Sequence, residues 1–311
     1  MPTPVWKPMA LVPASGPIAG IVWMTISMAL FAGLAVFARA AMNAGMHPFQ
    51  VVFLRNVLAT LMLSPLLLWR GSSLVKSRQL PLYGLRVAVS LLSMLAWFYA
   101  LSEISIGEVT AISFLAPVFG TLGAIFLLGE KVRLRRWTAI MVGFVGAMII
   151  LRPGMAPLGV GQACALFNAM SIGIVAIMIK QLTAGDDPDK IVFLTNLMLT
   201  PLSLVPALLV WTWPSLDAVI PVLGLGLTAV LGHVALVRGY AATDASLAMT
   251  FEFSRLPFAV AIAYLAFGET IDMWTWVGAA VIFAASVYIV RREAQLARLR
   301  RAQSGSGPGA A

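Results

Sequence analysis

Charge is what this chain has least of. Only 11% of its 311 residues are Asp, Glu, Lys or Arg, where soluble domains carry about 25%. A core of this size would then have no polar shell, which excludes an ordinary soluble enzyme. Cysteine occurs once, as Cys164, and histidine twice, so neither an intrachain disulfide nor a metal framework can be built. The phosphate-cradling G-x-x-x-x-G-K-S/T loop is missing, so nucleotide hydrolysis does not power the protein. G-x-S-x-G and H-E-x-x-H are missing as well. No cofactor is implied.

What the sequence has instead is apolar length. Hydrophobic residues make up 60% of it, in charge-free runs such as Pro8–Ala38, Val109–Gly129, Pro153–Ile179, Ile191–Leu216 and Ala218–Val237. A membrane-spanning helix needs about 20 mostly apolar residues. A transmembrane barrel would alternate polar and apolar residues, and these runs do not. The fold class predicted is an all-α polytopic membrane protein. Cutting at charges, Pro/Gly pairs and polar clusters places ten transmembrane helices near 17–40, 48–69, 80–101, 107–128, 134–151, 158–181, 189–211, 217–240, 245–267 and 273–291. The first run lacks a basic leader and an A-x-A exit, so it is expected to be retained. The tail Gln303–Ala311 is Gly/Ser-rich and expected to be disordered.

The net charge of +9 is explained by position rather than by nucleic acid. Lys76, Arg78, Lys131, Arg133, Arg135, Arg136, Lys180, Lys190 and the cluster Arg291–Arg301 fall in the loops that share a side with the termini. The opposite loops hold Arg152 and the acids Glu103, Glu108, Asp217, Glu269 and Asp272, with Arg39 close by. The positive-inside bias then places both termini in the cytoplasm. Trp69 and Trp137 mark the inner interface; Trp211, Trp213, Trp274 and Trp276 mark the outer one. The implied partners are the lipid bilayer and a small-molecule cargo, and a monomer suffices.

The sequence also repeats itself. Residues 48–117 align with 188–257 at a constant offset: Val52–Asn56 (VFLRN) with Val192–Asn196 (VFLTN), Thr60 with Thr200, Pro81–Leu85 with Pro221–Leu225, Thr110 with Thr250, Pro117 with Pro257. After one deletion Gly129-Glu130 meets Gly268-Glu269 and Trp137 meets Trp276. After a shift of four, Ala29-Leu30-Phe31 meets Ala165-Leu166-Phe167. Each half holds an odd number of spans, so the second enters the membrane from the opposite side. The organisation expected is a segment 1–16, a first five-helix repeat 17–152, an inverted repeat 153–291, and a basic, then disordered tail 292–311, both flanking segments cytoplasmic. Inverted repeats are typical of secondary transporters, whose site lies near the midplane between them.

Five plus five spans, a Gly-Glu closing the fourth helix of each half, and Arg55 in the second helix together resemble the EamA type of the drug/metabolite transporter superfamily, over 17–291. Among its branches the chain is most similar to the bacterial aromatic amino-acid exporters. The resemblance implies export of small amphipathic metabolites by alternating access, aromatic amino acids first, with other amino acids, nucleosides or drugs as the alternative. Thr195 stands where a second Arg55 would be.

Candidate site residues follow from polarity at membrane depth. Glu252 and Arg255 share a helix face, as a structural ion pair that Arg238 joins or as a proton-coupling site. His233 is the repeat-mate of Ser93. Ser90, Ser93, Met94 and Trp97 recur at helical spacing, a face serving either a cavity or helix packing. Asn168 and Ser171, near the matched Phe167, are hydrogen-bonding candidates. An aromatic amino acid needs rings around its ring, for which Trp97, Phe114 and Phe253 are available, and polar groups for its charged end: Ser93, Thr110, Asn168 and His233. Arg55 is expected to bond carbonyls of a neighbouring helix, and Arg86 to snorkel toward the cytoplasmic interface. Pro117 and Pro257 each free the carbonyl four residues back, so the faces Thr110–Ser113–Phe114 and Thr250–Phe253–Ser254 are expected to line the cavity and hinge at the prolines. An intramembrane enzyme is disfavoured for want of a catalytic constellation, and a channel for want of filter residues.

Overall fold

The computed structural model of the chain describes residues 17–71, 75–116, 118–120, 122–123, 134–152, 159–182, 185–186, 188–242, 254–284 and 287–288. Among them there is no strand. The helices are α1 (Pro17–Asn43), α2 (Pro48–Arg70), α3 (Leu80–Glu103), α4 (Ile106–Ser113), α5 (Leu134–Leu151), α6 (Val160–Leu182), α7 (Pro188–Leu209), α8 (Leu216–Ala242), α9 (Arg255–Phe267) and α10 (Met273–Ala284). Within α1, α3, α6, α7 and α8 lie segments long and apolar enough to cross a membrane. The repeat-mates Pro48 and Pro188 open α2 and α7, at a position where a missing N–H costs nothing.

One helix departs from its expected course. The fourth span, expected to be continuous over 107–128, stops at Ser113. The amides of Phe114 and Leu115 reach back only three residues, to Ala111 O at 3.2 Å and Ile112 O at 3.0 Å, and a normal turn resumes with Phe119 N on Leu115 O at 3.0 Å. Pro117 itself lies outside the described residues. The break is nonetheless where its ring would displace the Ser113 carbonyl. The equivalent point in the second half is the Ser254 turn before α9. Thr250, Glu252 and Phe253 lie outside the described residues, so the expectations placed on them do too.

Packing follows the repeat. The most extensive contacts are α1 with α8 and α3 with α6, which one two-fold operation exchanges; α2 with α7 and α4 with α9 are pairs of repeat-mates and lie on the axis. Thr60 and Thr200, one repeat apart, place their hydroxyls 2.9 Å from each other there. The molecule is a polytopic membrane protein of two inverted five-helix repeats. Its outer surface is apolar: Met141, Val145 and Met148 on α5 and Leu223, Leu227 and Leu231 on α8 are exposed. Lipid tails are as apolar as leucine, so close backbone approach, not burial from water, holds such helices together. Gly173 on α6 shows how close: a Cβ there would stand 2.5 Å from the Gly120 amide nitrogen beyond the α4 break.

Candidate functional site

The two flanking helix pairs bring the polar candidates of the sequence together. In α3·α6, the Asn168 amide donates to the Ser93 hydroxyl at 2.9 Å and to its carbonyl at 3.1 Å. Both residues are buried, as is Ser171 one turn along. The remaining Asn168 oxygen, Oδ1, is buried with no partner in the structure. Such an acceptor costs about 1–3 kcal/mol unless something fills it. In α1·α8 the repeat-mate of Ser93, His233, meets Phe31 edge to face at 5.0 Å. Its Nδ1 lies 2.8 Å from Ala229 O on its own helix. Nearby, Ser27 donates to Gly232 O at 2.8 Å, and the Arg238 guanidinium sits 4.8 Å above the Trp23 ring.

On α4, Thr110 and Ser113 are buried, and their hydroxyls donate to Ile106 O at 2.7 Å and Val109 O at 2.8 Å. This back-bonding occupies their protons and favours a bend. Phe114 is buried at the break. Trp97 is half-buried and packs on its neighbour Phe98 at 4.9 Å. Ser254 forms the turn before α9, Arg255 is the first residue of that helix, and Pro257 is exposed within its first turn.

Two arginines behave differently from expectation. Arg86 does not snorkel: it is 8% exposed and donates to the Thr195 hydroxyl of α7. The hydroxyl opposite it is a closer partner than the interface. Among the described residues Arg55 bonds no carbonyl of a neighbouring helix; its hydrogen bond runs to Asn56 Oδ1 at 3.0 Å. Asn56 in turn donates to Ser203 of α7 at 3.2 Å.

Sequence reasoning used the Gly-Glu pairs to align the halves and to mark the family resemblance, and missed what the second one does. Gly268 ends α9 in the left-handed conformation, φ 68°, which favours glycine. The turn delivers Glu269 to two partners. One carboxylate oxygen lies 2.7 Å from Arg39 of α1, and the other accepts the Ile106 amide at the start of α4 at 2.9 Å. Arg39 also donates to Ile104 O. Around this centre, Gln162 of α6 donates to Glu108 at 3.1 Å, and Arg152 pairs with Asp272. These contacts sew α1, α4, α5, α6 and the α9–α10 loop together at one end, here called distal. The available signal was an arginine near a helix end facing an acid in a repeated turn.

The family model for EamA-like transporters matches twice, over residues 18–152 and 159–291. The chain is similar to a riboflavin transporter of Vibrio cholerae, with 29% identity over 92% of this chain and 97% of that one. It is also similar to an S-adenosylmethionine uptake transporter of Rickettsia bellii, with 26% identity over 88% and 94%. A crystal structure superposes with a TM-score of 0.61 over 89% of this chain and 99% of the other, at 17% identity, a likeness of fold alone. These relatives' names do not support the narrower resemblance to aromatic amino-acid exporters. With the two matches together covering most of the chain, one in each half, the protein belongs to the EamA-like transporter family.

Proposed function

We propose that the protein is a secondary transporter that moves a small amphipathic metabolite bearing an aromatic or heteroaromatic ring across the bacterial inner membrane by alternating access. Both termini are cytoplasmic in this reading, so the distal end faces out. The observation that carries it is the pair of exchanged walls, α3·α6 and α1·α8, flanking an axis on which α4 is broken. Transporter sites occupy that place and are built on discontinuous helices. Asn168, Ser93 and Ser171 supply polarity on one wall; Phe31 and His233 supply rings on the other. Trp97, Thr110, Ser113, Phe114 and Ser254 border the same region, with Pro117 and Pro257 as hinges. The relatives named for riboflavin and S-adenosylmethionine support a ring-bearing cargo. Aromatic amino acids, expelled from the cell, are the member of that class that the sequence favours.

The test is flux of radiolabelled phenylalanine, tyrosine, tryptophan and riboflavin through proteoliposomes, with and without a proton gradient. Saturable flux of at least one, blocked by excess unlabelled cargo, is expected. Flux rising linearly with concentration would make the protein a channel, and a covalent product would make it an enzyme.

A further inference from the structure

Contacts between the two halves are of two kinds. The pseudo-two-fold rotation that exchanges the repeats also turns the molecule over in the membrane, and so interchanges the outward-facing and inward-facing arrangements. A contact between a residue and its own repeat-mate is carried onto itself, and both arrangements can keep it. A contact between residues that are not mates is carried to different residues at the opposite end. It can form there only if their side chains suit.

Helices α2 and α7 meet by the first kind. Thr60 and Thr200 are repeat-mates, and their hydroxyls lie 2.9 Å apart. Thr200 places its own proton on Asn196 O at 2.9 Å, so Thr60 is the donor between them. The antiparallel pair stays in step from there to the distal end. Asn56 donates to Ser203 at 3.2 Å, and Gln50 donates to Thr212 O, just past α7, at 2.8 Å. Gln50, Asn56 and Ser203 are fully buried. The repeat-mate of Ser203 is Leu63, which cannot accept from Asn196. An α2·α7 interface that moved to the exchanged arrangement would lose the Asn56 bond and gain none. Both helices also run without a break, over Pro48–Arg70 and Pro188–Leu209, whereas the other axial pair contains the stop of α4 at Ser113.

The distal seam is of the second kind. Arg39–Glu269 and Gln162–Glu108 each join one half to the other, but the repeat-mates of Arg39 and Gln162 are Val175 and Ile26. Neither tie can be made by the matching residues at the opposite end. In the same seam Gly107 of α4 presses on Ile271 of the α9–α10 loop, and a Cβ on Gly107 would stand 3.6 Å from the Ile271 Cβ.

We propose that α2 and α7 are the fulcrum of the transport cycle: Thr60 stays on Thr200 throughout, while the distal seam parts in every turnover. The inference rests on the alternating-access reading and adds which interface rocks and which separates.

Paired cysteines in a Cys164→Ser background test it. Thr60→Cys with Thr200→Cys puts two thiols where two hydroxyls already touch. Gly107→Cys with Ile271→Cys gives a Cβ spacing inside the range of about 3.5–4.5 Å found in disulfides. The readout is flux of radiolabelled phenylalanine, tyrosine, tryptophan and riboflavin through proteoliposomes of the full chain, after oxidation by copper-phenanthroline and again after dithiothreitol. The Thr60–Thr200 link is expected to keep flux within about twofold of the reduced protein, and the Gly107–Ile271 link to lower it reversibly by at least about tenfold. The fulcrum is overturned if the Thr60–Thr200 link blocks flux reversibly, or if the folded double variant forms no link. A Gly107–Ile271 link that leaves flux unchanged overturns the parting of the seam. Should Thr60→Cys with Thr200→Cys fail to fold, Asn56→Cys with Ser203→Cys, farther along the same interface, carries the same expectation and the same refutation. Absence of flux from the reduced, unlinked protein removes the transporter reading and the fulcrum with it, so the reduced control tells the two failures apart.

Discussion

The walls α3·α6 and α1·α8 hold equivalent places about the axis and share almost none of their side-chain chemistry. Where Asn168 donates to Ser93 in one, Phe31 meets the edge of His233 in the other. The end of the first is clasped by charge: Asp186 in the α6–α7 loop pairs with Lys190 at 2.5 Å and accepts from Ser77 at 2.5 Å and from Tyr83 at 3.2 Å. The matching end of the second is clasped by neutral groups. Gln50, the repeat-mate of Lys190, donates to Thr212 O at 2.8 Å, and Ser215 donates to Ala44 O at 3.3 Å. Helix lengths, paired prolines and close backbone approach fix the scaffold, and side chains are then free to diverge on it. A symmetric fold thereby carries chemically unlike walls.

The comparison breaks most readily at the backbone. Gly173→Ala puts a methyl 2.5 Å from the Gly120 nitrogen, and main chain cannot swing aside. A loss near the top of the overpacking range, about 3 kcal/mol, is expected, read as a lower unfolding temperature in detergent. Gly33→Ala on α1 meets nothing closer than Thr228 Cγ2 at 3.7 Å. It should be neutral or gain up to about 1 kcal/mol from helix propensity. Equal responses at the two glycines would mean that α6 does not touch α4 as closely as described.

The next effect is at the distal end, which joins both walls. Glu269→Gln removes the charge facing Arg39 and weakens the acceptor for the Ile106 amide. A loss of about 2 kcal/mol is expected, below that of a fully buried pair because both side chains keep some exposure. Cys164, the sole cysteine, lies in the first turns of α6 beside this seam and is half-buried. Its labelling by a maleimide should quicken in the variant. Unchanged labelling together with unchanged stability would show that the seam does not hold the distal elements together.

Much of this was legible in the sequence, for identifiable reasons. Ten spans, the two halves and their inversion follow from apolar length and from pairs such as Pro81/Pro221 and Thr60/Thr200, whose spacing no tertiary contact can alter. The pairing of Ser93 with Asn168 was half visible: both were flagged, but nothing in a sequence states which helix faces which. Arg86 was misread because snorkelling was judged from depth alone, whereas the hydroxyl of Thr195, 109 positions away, decided its direction. The distal seam was missed because Arg39 and Glu269, 230 positions apart, meet only once Gly268 has turned the chain.

Exchanging chemistry between the walls sharpens the comparison further. Asn168→Ala removes two donated bonds to Ser93 but also the unpartnered Oδ1. Interhelical bonds of this kind average about 0.6 kcal/mol in membranes, so a net loss near about 1 kcal/mol is expected. His233→Phe keeps an edge-to-face ring for Phe31 and forfeits only a bond within its own helix. Its stability should match the parent while saturable flux falls. If His233→Phe unfolds earlier than Asn168→Ala, the polar wall is not the structural one.

The smallest effect separates the two clasps by pH. Burial alone would raise the Asp186 carboxyl, but the hydrogen bonds from Lys190 and Ser77, the Lys190 charge and the Tyr83 hydroxyl together hold it below its usual value of 3.8. A carboxylate whose folded value is depressed contributes stability above its unfolded value and loses it as pH falls through the folded one. The α3·α6 clasp should therefore be complete at neutral pH and fade below about pH 4. Asp186→Asn lacks the contribution throughout, so the difference in unfolding temperature between parent and variant should be constant near neutrality and shrink in acid. Asp272, held low by its bonds to Thr275 and by Arg152 despite burial, and His47, lowered by burial, titrate in both proteins and cancel in that difference. Neither Gln50 nor Thr212 titrates, and the adjoining His47, whose backbone amide donates to Gln50 Oε1 at 3.1 Å, is held below its usual value of 6.5 by burial, so Gln50→Ala should shift the unfolding temperature by the same amount at every pH above about 6.5. A parent-minus-Asn difference that stays flat into acid would show that Asp186 holds the loop by shape and hydrogen bonding and not by its charge, leaving the two clasps alike after all.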